Sequence, residues 1–176
     1  MILTPLSRSC NAIRFIQANG NSVWAVLGQS SPWEDDSNPP APSPTATTEN
    51  SPFAAFQATA QWVYENGESG TYAFVDTNGN THLYSVYATA ADVIAGQGTI
   101  VMLTATASGA NLSALEASFR QVGFATSLVP ASGYESDTFL AAAHIESWGN
   151  LETLENRVPV SIISESSYAV AALLQF

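Results

Sequence analysis

The residues able to do chemistry in this chain are few and scattered. Histidine stands only at 82 and 144, and cysteine only at 10. A zinc site or a nucleophilic triad needs several partners converging on one point. No His-x-x-x-His or His-Glu-x-x-His spacing exists, and one cysteine makes neither an intrachain disulfide nor a cysteine zinc site. Serine is common, yet no Gly-x-Ser-x-Gly elbow is present. Gly96-Gln97-Gly98 lacks the third glycine and the strand-to-helix setting of a dinucleotide fingerprint. Asp76-Thr77-Asn78-Gly79-Asn80 has the opening of a calcium loop. An EF-hand, however, places glycine at position six and a bidentate glutamate at position twelve. Here the glycine is fourth and Tyr87 is twelfth, so Asn78-Gly79 reads as a hairpin turn. The densest carboxylates are Glu34, Asp35 and Asp36. A pair of carboxylates can hydrolyse a glycoside. Lodged between Trp33 and a proline run, these three read instead as a solvated loop or a docking surface that wants water or a basic partner. No enzyme, cofactor or metal is expected.

Composition points the same way. The chain has 176 residues, 15 acidic side chains and four basic ones, all arginine (Arg8, Arg14, Arg120, Arg157), for a formal charge of -11. Such a surface offers no footprint to a nucleic-acid backbone or an anionic membrane. Charged residues are 11% against about 25% in ordinary domains, which suggests a surface largely covered by neighbours. The length predicts one domain over 1–176. No apolar run approaches the roughly 18 residues of a membrane span. Arg8 and Arg14 interrupt the N-terminal apolar pattern, which is unlike a secretory signal, and a single cysteine fits synthesis in a reducing cytoplasm.

The elements that must position these residues follow from periodicity. Thr4-Pro5 is a helix start, and Leu6, Cys10, Ile13 and Ile16 or Gln17 keep helical spacing, so a helix is expected over Pro5–Ala18 with Cys10 as a small core residue. Asn19-Gly20 ends it. Val23–Leu27 reads as a buried strand stopped by Gly28. Residues 29–51 hold Pro32, Pro39, Pro40, Pro42 and Pro44. Proline fixes φ and lacks an amide donor, so this is extended chain. Trp33 within it argues for an ordered strap rather than a linker. Ser51-Pro52 with Phe53, Phe56, Ala60 and Val63 predicts a second helix to about Tyr64. Residues 71–76 and 81–87 read as a hairpin, Thr99–Ala107 as a strand, and Ser113 with Glu116 as a capping box. Phe119–Val129, Thr138–Ile145, Leu151–Leu154, Val160–Ile163 and Tyr168–Phe176 read as further strands. The expected class is α+β and β-dominated: antiparallel sheets or a sandwich, an N-terminal helix and a long proline-rich loop.

Three segments in order then carry a likeness. The first is Val23-Trp-Ala-Val-Leu-Gly28-Gln-Ser-Ser-Pro32-Trp33, running into Pro39-Pro40-Ala-Pro42. The second is Ser118-Phe119-Arg120-Gln121-Val122-Gly. The third is Glu155-Asn156-Arg157-Val-Pro159-Val, with the chain closing on Leu173-Leu-Gln-Phe176. Together they resemble the baseplate wedge protein encoded by gene eight of T4-like contractile-tailed phages, with Gln29 where that family usually has arginine or lysine. The resemblance covers residues 5–40 and about 70–176. It implies a β-rich, non-catalytic subunit in the wedges around the tail hub. Such a subunit pairs as a dimer and bridges inner wedge and hub proteins to peripheral parts or tail fibres. Trp33 after Pro32, Arg120, the Glu155-Asn156-Arg157 run and Phe176 are the expected anchors. Arg120 and Arg157 are expected to be partly buried and bonded to carboxylates or main-chain carbonyls, because the guanidinium makes rigid bidentate contacts. A fibre-adaptor or receptor-facing module of the same virion stands as an alternative. A small hydrolase with two carboxylates about 5–9 Å apart in a pocket is another.

Overall fold

A computed structural model describes residues 4–20, 22–67, 69–75 and 79–176. In chain order the elements are α1 Pro5–Asn19, β1 Val23–Gly28, β2 Ala54–Gln57, β3 Thr59–Glu65, β4 Tyr72–Val75, β5 Thr81–Val86 and α2 Ala90–Ala95. They continue with β6 Ile100–Ser108, α3 Gly109–Ser113, β7 Ser118–Thr126, β8 Val129–Pro130, β9 Phe139–Ala141, β10 Ile145–Ser147, β11 Asn150–Ser161 and β12 Ser167–Gln175. The protein is β-dominated and antiparallel with an N-terminal helix, as its sequence pattern implies. Its contacts divide it into two compact units. One comprises residues 1–20, 60–103 and 173–176, the other residues 21–59 and 104–172.

The larger unit is built on a five-stranded sheet in the order β11-β7-β1-β2-β9. β1 is buried at every position, and β7 at nearly every one. This explains why β1 reads as an unbroken apolar run instead of an alternation: both of its faces are covered. Trp24, Val26, Ala55, Ala125, Leu128 and Leu140 form one core on this sheet, with Tyr134, Ile145 and Trp148 packed around it. Burying each large apolar side chain there stabilises the unit by roughly 1.5–3 kcal/mol. β11 is the outermost strand on one side. It pairs with β7 from Asn150↔Thr126 to Ser161↔Ser118, and the register breaks between Asn156 and Val160. Arg157, Val158 and Pro159 therefore bulge opposite Arg120. Pro159 has no amide to leave unpaired there.

In the other unit Thr4 caps α1 by accepting from Ser7 N at 3.2 Å, with Pro5 in the first turn. The cap is as expected, but the buried face is not. Ser9, Ala12 and Ile13 are buried, Leu6 is 58% exposed, and Cys10 is only half-buried. Small side chains on this stripe leave the backbone open, and Trp62 Nε1 donates to Ala12 O at 3.0 Å. β4 and β5 pair from Tyr72↔Tyr84 to Val75↔Thr81, the hairpin read from sequence. Asp76, Thr77 and Asn78 of the suggested calcium opening lie outside the described residues. The core here is Val63, Tyr84 and Met102 with Tyr72, Phe74, Ile100 and Leu173.

Three sequence expectations are overturned. Residues 52–64 form β2 and β3, not a helix. The run is apolar enough to fit either period, and tertiary pairing decides it. Phe53 N donates to Leu27 O, β1 takes β2 in register from Trp24↔Gln57, and β9 flanks the other side. Ser113 ends a helix and does not start one; Ser108 is the cap of α3. The true capping box is Thr89 with Asp92 at the start of α2, an element the apolar periodicity is too short to reveal. Finally, residues 151–154 and 160–163 are not separate strands. β11 runs through both by way of the bulge.

Candidate functional site: the proline-rich strap and its anchors

Residues 29–50 leave the end of β1 and return to the start of β2, and their ends meet. Gln29 N donates to Asn50 O at 2.7 Å. No residue between them belongs to a helix or strand. A chain of this composition gains little by folding on itself, so its order must come from contacts with the sheet beneath.

Arg120 supplies the strongest of them. It sits in β7 opposite the β11 bulge and is only 7% exposed. Its Nε reaches Asp36 Oδ1 at 2.7 Å and Nη2 reaches Oδ2 at 2.9 Å, a bidentate pair. Nη1 donates to Ser30 O at 2.6 Å and to Ser118 Oγ at 3.1 Å. One guanidinium thus ties the start of the strap to its acidic turn. The hydrogen bonds from Arg120, with help from Trp33 N, hold the Asp36 carboxyl below its ordinary value of 3.8. A depressed carboxyl contributes to the folded strap above its unfolded value, and the contribution is lost as pH falls through the folded one. Cleavage of residues 29–50 by an acid-active protease should therefore rise as pH drops below 3.8. In Asp36→Asn it should be high at every pH, and a wild-type strap indifferent to that acid range would count against this pair.

Trp33 Nε1 donates to the main-chain carbonyl of Arg157 at 3.1 Å, within the β11 bulge. Trp33 N also donates to Asp36 Oδ1 at 2.9 Å. Pro32 beside it is exposed. Arg157 itself is half-buried and its Nη2 reaches Glu155 Oε2 at 2.7 Å, two residues back on the same side of the strand, while its Nε is buried without a partner. Asn156 belongs to a relay. Its Nδ2 donates to Pro40 O at 2.8 Å, its Oδ1 accepts from Gln121 Nε2 at 2.7 Å, and Gln121 Oε1 accepts from Asn50 N at 2.6 Å. Middle and end of the strap are linked through two amides. Trp33, Arg120, Glu155, Asn156 and Arg157 thus gather at one place. Phe176 does not join them: it lies in the other unit, where its ring packs on Phe15 with centroids 5.6 Å apart.

Sequence reasoning missed Gln121 as the relay and the buried Glu49, and it did not pick Asp36 out of the acidic cluster as the partner of Arg120. The cluster's need for a basic partner and the Gln121 position inside the Phe-Arg-Gln lead-in were the available hints. Glu34 and Asp35 stay exposed and, with Asn38 and Pro40, line an open cleft of about 440 Å³. Hydrogen bonds from Ser37 lower the Asp35 carboxyl. No group of three or more potential metal ligands gathers among the described residues. His82 pairs with Glu65 at 2.8 Å, and His144 stacks on Tyr134 at 3.8 Å.

The site is thus a β-rich body whose one buried guanidinium seats a strap with an exposed outer side. The whole chain, residues 1–176, matches the family described as baseplate wedge 3 tail fiber network component. The chain belongs to this family and is a structural component of a phage tail baseplate. No curated protein matches the sequence.

Proposed function

We propose that this chain is a gene-eight-type wedge subunit that bridges neighbouring wedge and hub proteins around the tail and reaches toward the tail fibres. Its strap is the contact surface, and it works without catalysis, cofactor or metal. It is made in the host cytoplasm and ends in the virion, with a second copy of itself among its candidate neighbours. The observation that carries this reading is the strap's construction. Arg120, Asn156, Gln121 and Trp33 fix its inner side, while Pro32, Glu34, Asp35, Asn38 and Pro40 remain exposed. A segment held this firmly with its outer side bare is pre-organised for a partner, which lowers the ordering cost of binding. The chain's charge of -11 makes that partner a basic one. A fibre-adaptor role has one point in its favour, the words "tail fiber network" in the family description.

Trp33→Ala is the direct test. Tryptophan truncation at an interface hot spot costs about 2 kcal/mol or more. Incorporation of the variant into baseplates, in competition with wild type, should fall on the order of tenfold or more. Residues 29–51 should also become protease-sensitive in the free subunit. Wild-type incorporation with an intact strap would refute the role given to this residue.

A further inference from the structure

The neck of the strap buries a carboxylate that none of these contacts explains. Glu49 is 3% exposed, and its Oε1 has no hydrogen-bond partner. Its neighbour Asn50 is clamped on both sides, N–H to Gln121 Oε1 and C=O to Gln29 N. Glu49 therefore cannot swing out without breaking the neck. The side chain lies over a gap in the sheet made by two glycines. A Cβ on Gly28 would stand 2.9 Å from Glu49 Cβ and 2.8 Å from Asn50 O; one on Gly123 would overlap Glu49 Oε1. Leu151 Cδ1 closes the far side of the same gap, 2.9 Å from that Gly123 position. Gly28 and Gly123 lie on one face, since Gly28 pairs with Gln121 and Val26 with Gly123. The seat is thus shaped for a carboxyl group but gives Oε1, the oxygen over Gly123, nothing to bond.

We propose that Glu49 is a proton-operated latch on the strap: neutral, it rests in the Gly28–Gly123 seat and keeps the neck shut; ionised, it leaves the seat and frees residues 41–50 for a partner. The cost is desolvation. Only the Thr48 hydroxyl and the Glu49 amide donate to the carboxyl, too little to offset its burial, and no positive group neighbours it. A buried carboxylate so sparsely compensated is expensive, whereas its protonated form is tolerated. No other charge on the surrounding elements offsets this. β1 presents Trp24, Val26 and Gly28 on this face, and β7 presents Phe119, Gln121, Gly123 and Ala125, none of them charged. On β11, Glu152 accepts from Thr126 Oγ1 at 2.7 Å, and Glu155 holds Arg157. On the strap, Asp36 is taken by Arg120. Burial accordingly pushes the Glu49 carboxyl up to about 6 from its ordinary 4.5. A raised carboxyl stabilises the closed neck fully below 4.5, and that stability is lost as pH climbs through about 6. This is opposite in sign to Asp36, so the strap is held most firmly between 3.8 and 4.5 and loosens progressively as pH climbs through about 6.

Hydrogen exchange on the full chain tests the latch, with amide rates in residues 41–50 corrected for the chemical pH dependence. Between about pH 4.5 and 7.5 the opening equilibrium of wild type should rise on the order of tenfold. Glu49→Gln, always neutral, should show a flat and protected profile. Gly123→Ala, whose methyl group displaces the carboxyl, should be flat and open. The carboxyl carbon of Glu49, followed by NMR in wild type, should titrate with the same midpoint as the exchange. A wild-type profile flat over this range, a Glu49→Gln variant that keeps the wild-type slope, or a Glu49 midpoint at 4.5 would each overturn the proposal.

Discussion

Arg120→Ala should unseat the strap while leaving the sheet intact. The substitution deletes the bidentate pair to Asp36 and the bonds to Ser30 O and Ser118 Oγ together. Hydrogen bonds to charged groups are each worth about 1.5–3 kcal/mol, and because these share one side chain their losses are not additive. A net loss of about 2–3 kcal/mol is expected, which lowers Tm by roughly 4–12 °C for a chain of this size. Limited proteolysis should find new cuts within residues 29–50, and the far-UV spectrum should hardly change. Arg120→Lys should recover only part of the loss. An ammonium is a point charge and cannot meet two carboxylate oxygens and Ser30 O at once. An Arg120→Ala protein with wild-type Tm and a protected strap would show that the pair seats nothing.

Gly149→Ala should be the most damaging conservative change on the larger unit. Gly149 has φ +74 and leads into β11, the strand that carries the strap's outer anchors. A Cβ there would collide with main-chain atoms of Thr126, Ser127 and Leu128, none of which can rotate away. Left-handed strain of about 1–3 kcal/mol adds to overpacking of similar size, so a loss of about 3 kcal/mol or more is expected. Gly133→Ala is the matched control. Gly133 is equally left-handed at φ +94 but has open space at the Cβ position, so only the backbone cost of about 1 kcal/mol should appear. Equal unfolding midpoints for the two variants would mean that the close approach at Gly149 contributes nothing.

The parts of this fold written in local chemistry were legible in the sequence. Thr4-Pro5 and Gly20 bracket α1 because capping acts within one turn. Val23–Leu27 announces a buried strand, which the fold extends by one residue through Gly28. Trp33 within the proline run pointed to an ordered strap, because a bare linker has little use for an indole. What could not be read locally was decided by pairing. The residues from Pro52 to Tyr64 carry a helical spacing of apolar side chains, yet the neighbouring strands β1 and β9 claim them. Asp36 and Arg120 are 84 positions apart, and Asn156 and Pro40 are 116 apart, so no local pattern joins them. Glu49 is the clearest case. Its sequence setting, Thr-Glu-Asn-Ser, is that of a solvated turn; only the two missing side chains at Gly28 and Gly123, in strands brought together by the sheet, make room to bury it.

A common logic connects these features. The strap belongs to the unit of β1, β7 and β11, where the only buried arginine, the amide relay and the glycine seat all face it. The exposed charges on the strap, Glu34 and Asp35, are acidic. In a baseplate such a segment would meet a basic surface, and Glu49 would set how readily the segment's second half lifts toward it.

Electron cryomicroscopy of an intact tail carrying this subunit tests the central claim most directly. Density for residues 29–50 is expected pressed against a neighbouring subunit, with Trp33 still over the β11 bulge and basic side chains of the neighbour against Glu34 and Asp35. A subunit whose strap faces empty solvent, with every contact made through other surfaces, would contradict it.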